Sequence, residues 1–265
     1  MVGDNQRRRD PVPFWNNKYG KHRIMMKKEE LAKHLPPTAT ATKESVRRMA
    51  ERHGSVYLKP ILGTGGFGIF KLSLENGKFR LQNGTRSRLF GQYEKAYAAF
   101  VSSSQKKRYL VQKSIPLMRI KGRPFDLRIM VQRNSRHEWE VTGTVARLAL
   151  PRKIVTNYHS GGKPMPLWDL LGSHVPKADR PGYEKRLNRL ALQASSHVGA
   201  YFPRFRAYGV DVGIDEKLRP WIIEVNSKPD KSIFNALPDK QMYRKILRYG
   251  RLPGTARKQG STTKK

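Results

Sequence analysis

The stretch Val56-Tyr57-Leu58-Lys59-Pro60-Ile61-Leu62-Gly63-Thr64-Gly65-Gly66-Phe67-Gly68-Ile69-Phe70-Lys71-Leu72-Ser73-Leu74 decides the fold. An apolar run is closed by a lysine, a glycine-rich loop follows, and an alternating run comes after it, which reads as strand, flexible loop, strand. Gly63, Gly65 and Gly68 fit the spacing G-x-G-x-x-G. The dinucleotide-binding form of that motif opens a helix, whereas residues 69–74 alternate with period two and run into an Asn76-Gly77 turn. No Gly-Lys-Ser/Thr follows, which excludes a Walker loop. Two readings are left. Either Gly63, Gly65, Gly66 and Gly68 form a flap whose backbone N–H groups lie over the phosphates of a nucleotide, with Lys59 as a positive charge beneath, or the segment is an ordinary hairpin loop.

Outward from this stretch, helical and strand-like segments follow one another. Residues 21–35 read as a basic helix stopped by Pro36-Pro37, and 38–42 as a linker. Thr42 or Ser45 caps a helix that runs to about His53 and ends at Gly54. A hairpin over 56–81, a helix over 92–103 and a short strand over 109–112 come next, before Pro116 forbids further ladder pairing. Beyond Gly122, 125–131 and 139–149 are long strands joined by a polar turn, 157–163 is a glycine-bearing loop, and 181–201 has helical periodicity. Strands over 207–214 and 220–225 and a helix near 235–249 complete the order. It predicts an α+β protein with a basic N-terminal segment and helix over 1–37, two lobes over 38–118 and 119–250 that share a cleft, and a flexible basic tail over 251–265.

The 265 residues include 54 Lys and Arg against 20 Asp and Glu, a formal net charge of +34. Such a surplus favours polyanions, an acidic polymer or nucleic acid among them, or else is a solvated surface acting on solubility and association. The chain has no cysteine, which excludes disulfides, thiolate metal sites and a thiol nucleophile. Its 7 histidines show no metal-binding spacing. No run of 18 apolar residues occurs, and the Arg7-Arg8-Arg9 cluster is not followed by an apolar segment, so a soluble, cytoplasmic protein without a membrane span is expected.

Acidic residues are scarce, so those that interrupt an apolar strand need a reason. Asp211 stands in Val210-Asp211-Val212, and Glu224 and Asn226 lie two apart, hence on one face, in Ile222-Ile223-Glu224-Val225-Asn226. A turn at Asp215-Glu216 pairs the two strands antiparallel and brings Asp211 toward Glu224. Three oxygen ligands without sulfur or imidazole suit Mg²⁺; the competing reading is the solvent-facing side of an edge strand. Asp126 and Arg128 share a strand face, so they either pair with each other or send Arg128, together with Arg147, to triphosphate oxygens. Asn157 and the Gly161-Gly162 pair lie in a loop that can finish such a site.

The ordered set Lys59-Pro60, the flap, Gln112-Lys113-Ser114-Ile115, Asp126-x-Arg128, Asn157 with Gly161-Gly162, Asp211 and Glu224-Val225-Asn226 resembles the ATP-grasp proteins. Within them it looks most like the YheC/YheD branch, called endospore coat-associated, with the similarity running from about residue 13 to 247. The resemblance implies two α+β lobes with antiparallel sheets that grip ATP. It further implies that Lys59 contacts the α/β phosphates, that the flap covers them, that 112–115 form a hinge hydrogen-bonding adenine, and that Asp211, Glu224 and Asn226 hold Mg²⁺. Lys21 stands where related ligases carry a second phosphate-binding lysine, with Lys27 as its competitor. Arg128, Arg147 and Asn157 take the catalytic positions. The implied activity joins a carboxylate to an amine, or to a peptide acceptor, through an acyl phosphate. Many enzymes of the superfamily carry a further N-terminal domain for the acceptor, and 20 residues precede Lys21 here, so the nucleotide half of the resemblance carries further than the acceptor half. Two other functions stay open: an ATP-binding spore-surface protein without ligase activity, and a polyanion-binding protein whose charge is its function.

Overall fold

The computed structural model describes residues 16–105 and 107–252; the arginines at 7–9 and nearly all of the tail expected over 251–265 lie outside the described residues. Two antiparallel sheets, one in each half of the chain, build the architecture. Helix α1 (Lys18–Met26) starts at Asn17, whose side chain accepts from the Gly20 N–H at 2.9 Å. A second short helix, α2 (Glu29–Ala32), follows an extended Lys28. The single helix expected over 21–35 is therefore two. The break lets Ile24 and Met25 on one side of it and Leu31 and Leu35 on the other all enter the same core.

The first sheet holds β1 (Thr38–Thr40), then, after α3 (Lys43–His53), β2 (Ser55–Pro60), β3 (Phe70–Glu75), β4 (Lys78–Asn83) and β5 (Arg86–Phe90), and, after α4 (Tyr93–Ser103), β6 (Tyr109–Lys113). Their order is β1-β6-β2-β3-β4-β5. The linker expected over 38–42 is instead an edge strand, because Thr38, Ala39 and Thr40 pair with Gln112, Val111 and Leu110 and satisfy the outer edge of β6. Helix α3 has both signals read from the sequence: Thr42 and Ser45 form a reciprocal capping box, and Gly54 closes it with a left-handed φ of 70°. Val46, Met49 and Ala50 of α3 and Tyr93, Ala96 and Phe100 of α4 bury against Val56, Leu58, Phe70 and Leu72. Burying each such large apolar side chain contributes about 1.5–3 kcal/mol.

The second half holds β7 (Arg119–Ile120), β8 (Arg123–Arg133), β9 (Trp139–Leu148), β10 (Lys163–Met165), α5 (Leu167–Leu171), α6 (Arg180–Tyr201), β11 (Ala207–Ile214), β12 (Pro220–Asn226), α7 (Ser232–Asn235) and α8 (Gln241–Gly250). Its sheet runs β10-β9-β8-β11-β12, with β7 beside β8. One face packs on α6 through Leu187, Leu190, Ala194 and Val198, together with α1 and α2. The other meets α7, α8 and the segment between them through Phe234, Ile246 and Leu237 on Met130 and Val145. The helix expected near 235–249 splits because Pro238 lacks the N–H a helix interior needs. Among the described residues no helix is long and apolar enough to cross a membrane.

Candidate functional site

Strands β8, β9, β11 and β12 lie side by side, and their register sets charged residues opposite one another. Asp126 faces Arg147, Arg128 faces Asp211, and Asp211 faces Glu224. Contact follows from this register. Arg147 holds Asp126 through Nε and Nη2 at 2.8 and 2.6 Å, Arg128 holds Asp211 at 2.5 and 3.1 Å, and Arg147 Nη2 also reaches Asp211 at 3.2 Å. The pairing expected within one strand, Asp126 with Arg128, is therefore replaced by pairings across strands. Asp211 is 3% exposed and sits on a central strand, which overturns the edge-strand reading for it. Burial alone would disfavour both charges. The flanking carboxylates more than offset this for Arg147, whose pKa is raised, and the two guanidinium groups do so for Asp211, whose pKa is lowered. Gly209 makes room for the arrangement, since a Cβ there would stand 3.0 Å from Arg128 Cδ.

Above this charged row, the two halves enclose a cavity of about 330 Å³. Lys59 enters it from the end of β2, with Nζ on Gln112 Oε1 at 2.5 Å. Desolvation pushes its ammonium down to about 8, with Lys18 adding to the shift and Glu224 and Asp211 opposing it. The flap closes the cavity through Gly63, Gly65 and Gly66, at φ values of 142°, 69° and 80°. A Cβ at Gly66 would lie 2.6 Å from Asn157 Oδ1. Ser160 donates to the Gly65 carbonyl at 2.6 Å and Lys18 Nζ to the Gly63 carbonyl at 2.5 Å. The flap is thus held by groups packed on the second sheet as well as by its own strands. Tyr57 Oη adds a bond to the Ile154 carbonyl at 2.9 Å.

The cavity also gathers Gln112, Lys113, Ile115, Arg128, Arg147, Asn157, Asp211, Glu224 and Asn226. Besides Gly161 and Gly162, which do not line the cleft, three residues singled out from the sequence stand elsewhere. Gly68 faces a separate cavity and accepts from Tyr109 Oη at 3.0 Å, Ser114 does not line the cleft, and Lys21 is buried in a small adjoining cavity. Burial lowers the Lys21 pKa, with Glu224 opposing, while its competitor Lys27 is exposed. The lysine of α1 that reaches the cleft is Lys18, 3.4 Å from Glu224 Oε1. Sequence reasoning missed it, although Lys18 and Lys21 are one helical turn apart on the same face. It also missed the His159–Asp230 pair at 3.1 Å, which joins the 157–162 loop to the segment after β12. At the far end, the N–H groups of Lys113 and Ser114 are bonded to the Pro37 and Ser55 carbonyls, while that of Ile115 has no partner among the described residues.

Two antiparallel α+β sheets closing a glycine flap over a lysine and a carboxylate-bearing strand pair define the ATP-grasp class of fold. Two solved structures share it. Carboxyaminoimidazole ribonucleotide synthase from Aspergillus clavatus with ATP superposes at a TM-score of 0.52, at 14% identity over 83% of this chain and 46% of that one. N5-carboxyaminoimidazole synthase from the same organism, with ADP and 5-aminoimidazole ribonucleotide, gives 0.54, at 12% identity over 90% and 52%. The chain belongs to the YheC/D like ATP-grasp family, whose model matches residues 12–251. It is similar to the endospore coat-associated protein YheD of Bacillus subtilis (strain 168), 28% identical over 235 residues, and to YheC of that strain, 21% over 214. The alignments take in 84% and 78% of this chain but 51% and 58% of the relatives, so the chain spans little more than half of their length.

Proposed function

We propose that the cleft binds ATP together with Mg²⁺ and that the protein is a ligase joining a carboxylate to an amine. One observation carries this reading: a lysine beneath a glycine flap faces two acidic strands across a single cavity. The cations Lys18, Lys59, Lys113, Arg128, Arg147 and Lys228 outnumber the anions Asp126, Asp211, Glu224 and Asp230 lining it, which favours a polyanionic ligand. The Ile115 N–H, with apolar walls from Pro36, Leu117 and Ile223, suits an adenine ring at the other end.

The donor set fits Mg²⁺ because it is made of oxygens alone. Asp211 already accepts from two guanidinium groups, so Glu224 and Asn226 would be the main residues to hold the ion, with Asp211 beside them. When bound, the metal would supply positive charge that offsets the phosphate oxygens. Lys59 and Lys18 hold the phosphates, the backbone of Gly65 and Gly66 excludes water above them, and Arg128 and Arg147 offset the charge that develops during transfer. In the reaction a substrate carboxylate oxygen attacks the γ-phosphorus as the bond to ADP breaks. An amine then attacks the acyl carbon and phosphate leaves. The two relatives are named for the endospore coat, which makes it the place of action in this reading, and labelled antibody on spores would test that.

Differential scanning fluorimetry with Mg·ATP tests the binding half. At a ligand concentration of 100 Kd the native state gains about 2.7 kcal/mol, so the melting temperature rises. Lys59→Ala removes most of that rise, and Glu224→Ala removes its Mg²⁺-dependent part; an unchanged rise in both variants would refute the site. ADP release that needs both a carboxylate and an amine tests the catalytic half. A melting shift without any release across a broad acceptor panel would move the protein to nucleotide binding without catalysis.

A further inference from the structure

A second cavity, of about 670 Å³, shares Pro60, Gly63, Thr64 and Phe67 with the cleft and is otherwise lined by the first sheet and α4. Its floor is apolar, from buried Phe70, Leu81 and Tyr109, and its rim carries Leu62 and Phe67, 74% and 67% exposed. Arg86, Arg88 and Lys107 complete it, and no acidic residue lines it. Elsewhere on this half Arg47 pairs with Glu51 and Glu94, and Arg80 with Glu75, while the exposed Arg48, Arg52 and Arg108 have no carboxylate partner among the described residues. Among the described residues no carboxylate pairs with Arg86, Arg88 or Lys107, and the Arg88 guanidinium stands 5.0 Å from the Phe90 ring centroid. Both arginines stand on β5, the edge of the sheet, and no described strand pairs with the outer side of β5. They are two apart, so they share a face with Leu81 and Asn83, their cross-strand neighbours.

An open edge offers main-chain N–H and C=O groups that a peptide backbone can complete and a nucleic acid or polyphosphate cannot. An apolar floor beside unpaired cations calls for a ligand that is apolar and anionic at once. We propose that this groove docks an extended acidic peptide segment, which adds a strand to β5, sets carboxylates at alternate positions against Arg86 and Arg88, and lays an apolar side chain on Phe67 and Leu62. The match is in spacing as well as charge, because side chains on one face of an added strand recur every two residues, as the arginines do. This docking site does not depend on the nucleotide reading of the cleft.

Fluorescence anisotropy with the full chain tests it at about 150 mM salt, where long-range attraction is screened beyond roughly 8 Å. The probe is a labelled synthetic peptide alternating Glu with Val and carrying one Phe. Arg86→Glu/Arg88→Glu weakens binding by about tenfold or more, since two ion pairs are lost and replaced by repulsion. Lys185→Glu/Arg189→Glu, an equal charge change on exposed positions of α6, leaves it nearly unchanged. A probe N-methylated at alternate residues binds the unaltered protein correspondingly more weakly, because its backbone can no longer join the ladder. Equal losses in the two variants would reduce the effect to net charge and overturn the proposal. Undiminished binding of the methylated probe would overturn strand addition. Selective loss of an oligo-dT probe, with peptide binding intact, would assign the groove to single-stranded nucleic acid instead.

Discussion

Four residues of alternating charge, Arg147, Asp126, Arg128 and Asp211, occupy the most deeply buried polar positions of the site, and their pairing is an energetic commitment. Removing one partner leaves an uncompensated charge in a low-dielectric setting. Arg147→Ala therefore costs about 3–5 kcal/mol of stability by urea unfolding, and a loss below about 1 kcal/mol would mean that water reaches the network. Lys59 acts in the opposite sense. Its pKa falls from 10.5 to about 8 on folding, so the folded state binds fewer protons than the unfolded state between these values. Stability then rises with pH across that window, and the penalty is complete below about 8. Lys59→Met is consequently more stable than the parent at pH 7, with the difference shrinking as pH climbs toward 10.5, while nucleotide affinity is lost. A difference independent of pH would disprove the desolvation account. At this scale the sequence pointed to the right residue types, but not to their partners. Asp126 and Arg128 look like a pair along the chain because they are two apart, and only the register of β9 and β11 gives each a different mate.

Among the elements, the flap is where local backbone chemistry and the opposite half of the molecule meet. Gly66 has both a left-handed φ and a neighbour, Asn157 Oδ1, where a Cβ would go. Gly66→Ala costs roughly 1–2 kcal/mol in the closed flap from backbone strain alone. It weakens Mg·ATP binding at least severalfold by titration calorimetry, whereas Gly77→Ala, with the same strained backbone but open space and no part in the flap, leaves affinity unchanged. Equal affinities in the two variants would remove the flap from the site. Elements governed by local signals were legible: the α3 cap at Thr42 and Ser45, its Gly54 stop, and the strand over 207–214. Elements whose identity rests on distant partners were not. Strand β1 has only three residues and exists because β6 needs a neighbour, and α1 and α2 separate because a core on the second sheet draws in both.

For the whole molecule, the +34 charge and the cleft make different demands on solution conditions. Binding that neutralises many phosphates falls steeply with salt, with log affinity declining by about 0.7–0.9 per contacted phosphate per log unit of salt. ATP enclosed with a divalent ion is screened far less, so Mg·ATP affinity measured between about 50 and 200 mM salt changes only a few-fold, while affinity for a long polyanion drops by orders of magnitude. Parallel slopes for the two ligands would make the basic surface the binding determinant. By itself, the sequence determined the α+β class, the antiparallel hairpins, the flap and the family, because periodicity, glycines and turn chemistry act over a few residues and ordered motifs survive divergence. Only the tertiary structure decided that Lys18, and neither Lys21 nor Lys27, reaches the cleft, that Gly68 and Ser114 stand outside it, and that Asp211 is locked between two arginines. Those outcomes depend on strand register and on how helix and flap pack across the two sheets, and contacts between residues so far apart along the chain leave no periodic trace in it.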